Sequence, residues 1–144
     1  MPPPPTCADR KIIFGEDDID DIEILSETFS GILTSEYTLE FINRGRKVID
    51  TLESLSDDEL PCLLVLDYNM PELNGAEILA MLKKKERYNK IPKVIWSTSG
   101  SDTYKNKCLE LGASHYMIKP GNLDGLEEAA RYLLSFCVAD DAVH

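Results

Sequence analysis

The stretch Cys62-Leu63-Leu64-Val65-Leu66-Asp67 decides the fold, because it places five apolar residues in a row before an acidic one. A short continuous apolar run of this kind is typical of a central β-strand that is buried on both faces of a parallel sheet. The run is far shorter than the roughly 20 residues that a membrane-spanning helix needs. Asp67 is therefore predicted to stand at the carboxyl end of the most deeply buried strand.

Strand and helix patterns alternate along the chain on both sides of this central strand. Further strands are predicted at residues 11–14, 37–42, 94–96 and 115–118. The helices are predicted from apolar residues at helical spacing: Ile22, Leu25, Phe29 and Ile32; Val48, Leu52 and Leu55; Ile78, Leu79 and Leu82; Tyr104, Cys108 and Leu111; Leu126, Ala130, Leu133 and Cys137. Five successive strand–helix units predict an α/β fold with a doubly wound, five-stranded parallel sheet that helices cover on both faces.

Length and charge limit the organisation of the chain and its partners. The chain has 144 residues, which fits one domain at residues 10–138, between a flexible Pro-rich tail at residues 1–9 and a C-terminal tail at residues 139–144. With 15 basic and 26 acidic side chains the net charge is −11, which argues against binding to DNA or to an anionic membrane because both need basic surface. The acidic side chains within residues 20–23 are interpreted as a solvated start of the first helix. No signal-peptide pattern is visible.

The cysteines predict neither a zinc site nor a redox motif. Four of them, at positions 7, 62, 108 and 137, lack the close spacing that such motifs require. Cys62, Cys108 and Cys137 lie in apolar stretches and are predicted to be buried free thiols. Free thiols indicate a reducing compartment, so a cytoplasmic location is expected.

Functional side chains of a doubly wound sheet gather at the carboxyl ends of its strands. Glu16, Asp17 and Asp67 follow two of the predicted strands, and carboxylates this close together favour a hard divalent cation with oxygen ligands, Mg²⁺. Ser97 and Lys119 follow the fourth and fifth strands and supply a hydroxyl donor and a positive charge for a phosphoryl oxygen. Together these groups predict a phosphoryl-transfer site with Asp67 as the carboxylate nucleophile.

The same residues carry a resemblance to a known family. Glu16-Asp17, the stretch Asp67-Tyr68-Asn69-Met70-Pro71-Glu72-Leu73-Asn74-Gly75, Ser97 and Lys119-Pro120 resemble the strand-end motifs of the receiver domain of two-component response regulators. The resemblance extends from about residue 11 to about residue 138. It implies a flavodoxin-like fold with strand order 2-1-3-4-5 in three αβα layers. It also implies a stand-alone receiver, because the sequence shows no output domain.

The resemblance implies a phosphorelay function with defined roles. Asp67 would accept a phosphoryl group from a phosphohistidine on a sensor histidine kinase or a phosphotransfer protein. Asp17 and Asp67 would bind Mg²⁺ together with the backbone carbonyl of Asn69, and Glu16 would bind it mostly through water. The phosphorylated form would bind a downstream target protein through the fourth helix, fifth strand and fifth helix.

Three further residues would respond to the phosphoryl group. Ser97 would bond a phosphoryl oxygen and move on activation, and Tyr116 would change rotamer with it. Lys119 would pair with the phosphoryl group, and the peptide bond between Lys119 and Pro120 would be cis. A homodimer linked to phosphorylation is an open alternative for the oligomeric state.

The sequence departs from the usual family pattern at several positions. Glu16 stands where Asp is commoner, and a register with Asp17 and Asp18 as the acidic pair is the alternative. We prefer Glu16 and Asp17 because Asp18 can then cap the first helix. Ser97 replaces the commoner Thr, and Thr98 is bulkier than the usual small residue.

Three other functions are less favoured. A Mg²⁺-dependent phosphatase with an aspartate nucleophile, of the haloacid dehalogenase kind, needs an acid–base carboxylate two residues after the nucleophile, where this chain has Asn69. A degenerate receiver that acts only as a constitutive binding module is disfavoured by the complete residue set. A flavodoxin would meet carboxylates where it needs a phosphate-binding loop. We expect slow self-catalysed loss of the phosphoryl group and no independent metabolic enzyme activity.

Overall fold

The computed structural model describes residues 10–33 and 36–142, with side chains described as far as residue 137. The predicted tail at residues 1–9, which includes Cys7, and the last two residues lie outside this part. In chain order the main elements are β1 (Arg10–Gly15), α1 (Ile19–Ser30), β2 (Tyr37–Ile42), α2 (Gly45–Ser54), β3 (Leu63–Asp67), α3 (Gly75–Lys83), β4 (Lys93–Ser97), α4 (Asp102–Glu110), β5 (His115–Ile118) and α5 (Leu123–Ala142). Single 3₁₀ turns lie at Asp57–Glu59 and Glu86–Tyr88.

The strands form one parallel sheet in the order β2-β1-β3-β4-β5. Leu64 pairs with Ile13 on one side and with Lys93 on the other, so β3 is the central strand, and all of its residues are buried. This arrangement confirms the predicted fold class and strand order. Because β2 and β3 lie on opposite sides of β1, the functional crevice of such a sheet is expected between the carboxyl ends of β1 and β3.

Alternating side chains of the central strand divide the apolar core into two layers. Leu64 and Leu66 face α2, α3 and α4, whereas Leu63 and Val65 face α1 and α5. Burial of each such side chain stabilises the fold by about 1.5–3 kcal/mol, which explains why this strand is apolar throughout. Trp96 of β4 is buried in the same layer as Leu63 and Val65.

The elements agree closely with the predicted ones, and most of their ends differ by only about one or two residues. β2 and β5 have the predicted bounds, but α5 continues to Ala142, so the tail predicted from residue 139 is helical over residues 139–142. Tyr104, whose helical spacing suggested a core position, is 41% exposed and stacks on the buried Tyr68. Within the described part of the chain, no helix combines the length and apolar character needed to cross a bilayer.

Cys62 and Cys137 form a disulfide bond, so the prediction that both are free thiols is wrong. Cys62 stands just before β3, and Cys137 is a buried residue of α5, a helix that packs on β3. The two cysteines are 75 residues apart in the sequence, and the packing of α5 on the sheet brings them together. Cys108 is a buried free thiol, as predicted.

Candidate functional site

The turn from β1 into α1 directs two carboxylates toward the crevice and uses a third as a helix cap. Asp18 is the N-cap residue of α1, and its carboxylate accepts hydrogen bonds from the backbone N–H groups of Asp20 (2.9 Å) and Asp21 (3.2 Å). Glu16 is fully buried, whereas Asp17 is exposed. Glu16 and Asp17 therefore stand at the strand end, whereas the Asp18 carboxylate caps the helix.

The end of β3 brings a third carboxylate to this pair. Asp67 is 6% exposed, and its Oδ1 accepts a hydrogen bond from the backbone N–H of Asn69 at 3.1 Å. Carboxylate oxygens of Glu16, Asp17 and Asp67 lie within 4.8 Å of one another. Carboxylates at this distance repel one another unless protons or cations neutralise them. The cluster can therefore hold a divalent cation with oxygen ligands.

Lys119 places a positive charge against this cluster. Its Nζ donates hydrogen bonds to Glu16 Oε1 at 2.9 Å, Asp21 Oδ2 at 3.1 Å and Asp67 Oδ2 at 3.2 Å. The side chain is 15% exposed, and the backbone N–H donates to the carbonyl of Ser97 at 2.7 Å. The ends of β1, β3 and β5 therefore bring one ammonium group into direct contact with the carboxylates of two strand ends.

Burial and proximity change the protonation of the cluster. Loss of hydration on burial, followed by the hydrogen bond with Asp67, raises the pKa of Glu16 to about 7, although the Lys119 ammonium acts in the opposite direction. Burial alone would lower the pKa of Lys119, but its hydrogen bond with Glu16 and the charges of Asp67 and Glu16 raise that pKa above its ordinary value. Lys119 is therefore positively charged at neutral pH, and Glu16 changes its protonation there.

Asp21 is a member of the site that sequence reasoning missed. Its carboxylate is 39% exposed and contacts Lys119, so the interpretation as a solvated helix start is wrong for this residue. Asp20, one position earlier, is exposed, in line with that interpretation. Helical side chains lean toward the helix N-terminus, so an acidic first turn can reach the strand ends. This signal was available in the sequence, but it does not distinguish Asp21 from Asp20.

Ser97 and Tyr116 belong to a hydrogen-bond network in the loop after β4. Ser97 is fully buried, and its Oγ accepts a hydrogen bond from the backbone N–H of Ser99 at 3.0 Å. Tyr116 is buried on β5, and its hydroxyl donates to the backbone carbonyl of Ser99 at 2.7 Å. Thr98 and Asn69 are exposed. Ser99 therefore connects the two predicted switch residues, a link that the sequence did not reveal.

The peptide bond between Lys119 and Pro120 is trans. No cis peptide bond occurs among the described residues, so the cis bond implied by the family resemblance is wrong for this structure. The trans isomer is the lower-energy form before proline by about 0.5–1 kcal/mol. The three contacts of the Lys119 ammonium are made with this isomer.

A cleft of about 220 Å³ lies beside Lys119, between α1 and the segment that leads into α5. Asp21, Trp96 and Leu123 are among the residues that line it, and Leu123 is 71% exposed. Lys119 is therefore reachable from solvent along this cleft, and the carboxylate cluster is also open on the side of Asp17.

Most of this chain is similar to a known protein family. The family model of the response regulator receiver domain matches residues 17–131. The two-component response regulator ORR5 of Oryza sativa subsp. japonica is 34% identical over 103 residues, which cover 71% of this chain and 75% of the rice protein.

Solved structures share the fold over nearly the whole chain. The phosphorylated cyanobacterial phytochrome response regulator RcpA superposes with a TM-score of 0.81 and 26% identity, covering 92% of this chain and 96% of that one. The Mn²⁺-bound form of response regulator Rcp1 has a TM-score of 0.77 and 27% identity, covering 88% of this chain and 93% of that one.

Proposed function

Because this chain belongs to the receiver-domain family of two-component response regulators, we propose that Asp67 is its phosphoryl acceptor. Response regulators receive phosphoryl groups from histidine kinases and act on downstream targets, and phosphorylation of an aspartate with a bound divalent metal is typical of the family. The contact of Lys119 Nζ with both Asp67 (3.2 Å) and Glu16 (2.9 Å) is the observation that supports the proposal in this chain.

The proposed transfer exchanges one bond to phosphorus for another. A carboxylate oxygen of Asp67 attacks the phosphorus of a phosphohistidine on a sensor histidine kinase or a phosphotransfer protein. The P–N bond breaks as the P–O bond forms, and the imidazole nitrogen leaves with the electron pair and takes up a proton from water. Lys119 stabilises the negative phosphoryl oxygens, and its Nζ already lies 3.2 Å from Asp67 Oδ2.

Mg²⁺ is the proposed ion of the carboxylate cluster. Asp17, Asp67 and the backbone carbonyl of Asn69 would hold it directly, and Glu16 would bind it mostly through water. The oxygen donors within 4.8 Å of one another suit a hard cation. When bound, the ion neutralises charge on the phosphoryl oxygens. Response regulator Rcp1, which shares this fold, has a Mn²⁺-bound form, and this supports binding of a divalent ion here.

Phosphorylation is proposed to act on the loop after β4. Asp67 and Ser97 stand at the ends of neighbouring strands, so a phosphoryl group on Asp67 would attract the Ser97 hydroxyl away from Ser99. Tyr116 is bonded to the same Ser99, and a shift of this loop changes its hydrogen bond. The resulting change beside α4 and β5 would alter the surface that a downstream target protein binds.

Phosphatase activity fits this site less well than phosphoryl acceptance. An aspartate-nucleophile phosphatase needs a proton donor two residues after the nucleophile, and the Asn69 amide cannot take that role. Slow hydrolysis of the acyl phosphate by the domain itself is part of our proposal, whereas turnover of external phosphomonoesters is not.

A cytoplasmic location is also proposed, since histidine kinases transfer phosphoryl groups inside the cell. In a reducing cytoplasm the bond between Cys62 and Cys137 would be reduced to two thiols. Alkylation of thiols in cells lysed directly into denaturant, which exposes the buried Cys137, should therefore label both cysteines. Complete resistance of the pair to alkylation would contradict the proposed location.

Incubation with acetyl phosphate and Mg²⁺ tests the proposed acceptor. Intact-mass spectrometry should show one added phosphoryl group that hydroxylamine removes, and Asp67→Asn should abolish the addition. Asp50→Asn changes an exposed aspartate of α2 and is the matched control, which should label like the unmodified protein. Labelling of Asp67→Asn would contradict the assignment, and sustained hydrolysis of p-nitrophenyl phosphate would favour the phosphatase.

A further inference from the structure

The ammonium group of Lys119 has a third carboxylate partner outside the strand ends. Glu16 and Asp67 follow β1 and β3, but Asp21 belongs to the first turn of α1 and reaches Lys119 Nζ with Oδ2 at 3.1 Å. Asp21 and Lys119 also line the same cleft. This contact joins α1 to the end of β5 across 98 residues of sequence.

The three contacts use the full donor capacity of Lys119. An ammonium group has three N–H donors, and the distances of 2.9, 3.1 and 3.2 Å assign one to each of Glu16, Asp21 and Asp67. A phosphoryl oxygen can therefore bind Lys119 only when one of these carboxylates releases it. Phosphorylation changes the Asp67 contact itself, so Glu16 and Asp21 are the carboxylates that still compete for Lys119. Asp21 is the more exposed of the two, at 39% of its side chain, and its release is the less costly because water can replace the lost hydrogen bond.

We propose that Asp21 is a positioning residue that holds Lys119 in the unphosphorylated protein and competes with the phosphoryl group for it. The inference rests on the proposed function of Asp67. The competition makes phosphorylation less favourable than it would be without Asp21, so this side chain sets how readily the domain changes state. The negative charge of Asp21 in the cleft also makes phosphorylation less favourable, because it repels the anionic phosphoryl group.

Asp20 provides a matched control for this role. It occupies the same helical turn, carries the same charge and donates its backbone N–H to the same Asp18 cap, but its side chain is exposed and makes none of the three Lys119 contacts. Asp20→Asn and Asp21→Asn therefore change net charge and helix-dipole interactions equally. A difference between the two variants isolates the contact with Lys119.

Beryllofluoride, a mimic of an aspartyl phosphoryl group, serves as the probe, and binding in the presence of Mg²⁺ is followed by fluorescence. The chain has one tryptophan, Trp96, which lines the cleft with Asp21 and Lys119. We expect Asp21→Asn to bind beryllofluoride about three- to tenfold more tightly, the size expected for release of one charge-assisted hydrogen bond at a partly exposed site. Asp20→Asn should stay within about twofold of the unmodified protein, and Asp21→Glu, which keeps the carboxylate, should restore weaker binding.

A second measurement uses the covalent group itself. Initial rates of labelling by acetyl phosphate and the half-life of the product, both followed by intact mass, should increase in Asp21→Asn and not in Asp20→Asn. Asp21→Ser offers an alternative variant that also removes the carboxylate.

The outcomes distinguish failure of the positioning role of Asp21 from failure of the proposed function of Asp67. Equal behaviour of the Asp20 and Asp21 variants, or weaker beryllofluoride binding by Asp21→Asn, would overturn the positioning role while the phosphoryl-acceptor function stands. Absence of both beryllofluoride binding and labelling in the unmodified protein would instead overturn the proposed function and the inference with it.

Discussion

Reduction of the bond between Cys62 and Cys137 should destabilise the domain without slowing phosphoryl transfer. The bond links the amino end of β3 to a buried position of α5. Asp67 stands at the other end of the same strand, five residues further along the chain. At about 3.3 Å per residue this is roughly 16 Å from the crosslink, so the two effects can be measured separately.

The loop that the disulfide closes sets the expected magnitude. The two cysteines are separated by 75 residues. For a loop of this length, the loop-closure entropy predicts that reduction of the bond lowers the free energy of unfolding by about 4.5 kcal/mol at 25 °C. This is a large part of the roughly 5–15 kcal/mol by which a domain of ordinary stability is folded. Because the free energy of unfolding falls by about 2 kcal/mol per molar of urea, the urea concentration at the midpoint of unfolding should fall by about 2 M.

Urea unfolding with and without dithiothreitol measures this loss, and thiol counting verifies reduction. The double variant Cys62→Ser/Cys137→Ser should unfold near the midpoint of the reduced protein and should not respond to dithiothreitol. The initial rate of labelling by acetyl phosphate should be the same in the oxidised and reduced forms. An unchanged midpoint after complete reduction would refute the entropic argument, and a large change in labelling rate would show that the crosslink affects the site.

Three further predictions concern the site. In metal-free protein, the folded state keeps a proton on Glu16 that the unfolded chain has lost, so the contribution of Glu16 to the free energy of unfolding should fall as the pH rises from 4.5 to about 7. Urea titrations across that range should show Glu16→Gln gaining stability relative to the unmodified protein, and a constant difference would contradict the raised pKa. Removal of divalent cations with EDTA should abolish labelling of Asp67 by acetyl phosphate and Mg²⁺ should restore it, whereas an unchanged rate in EDTA would exclude the proposed ion. Tyr116→Phe should cost about 1 kcal/mol in chemical denaturation, because the Ser99 carbonyl loses its hydroxyl donor, and no loss would mean that this bond does not stabilise the loop.

The fold could be predicted because its signals are local and strong. A strand that is covered on both faces must be apolar throughout, which identifies residues 62–66 as the centre of the sheet. Once the sheet is parallel, its topology places residues that follow β1, β3 and β5 at one edge, whatever their separation in sequence. The Asp18 cap was equally predictable, because capping depends on a side chain and the backbone only two or three residues away.

The missed features depend on contacts between distant segments. Asp20 and Asp21 are equivalent in the sequence. The burial of Leu25 and Phe29 against the sheet fixes the rotation of α1, and this rotation places Asp21 next to Lys119. The pairing of Cys62 with Cys137 likewise depends on how α5 lies across β3. Neither arrangement has a characteristic spacing, so composition and periodicity could not reveal it.

The charge balance of the site implies an order of events in phosphorylation. Lys119 supplies one positive charge, whereas Glu16, Asp17, Asp21 and Asp67 supply up to four negative ones. An anionic phosphodonor is therefore repelled until a divalent cation binds, and the net charge of −11 adds a longer-range repulsion that salt screens. We expect the metal ion to bind before the phosphodonor. The initial labelling rate should therefore increase more steeply with acetyl phosphate concentration as the Mg²⁺ concentration approaches saturation. Added salt should then accelerate labelling at saturating Mg²⁺, because screening weakens the remaining repulsion without removing the bound ion.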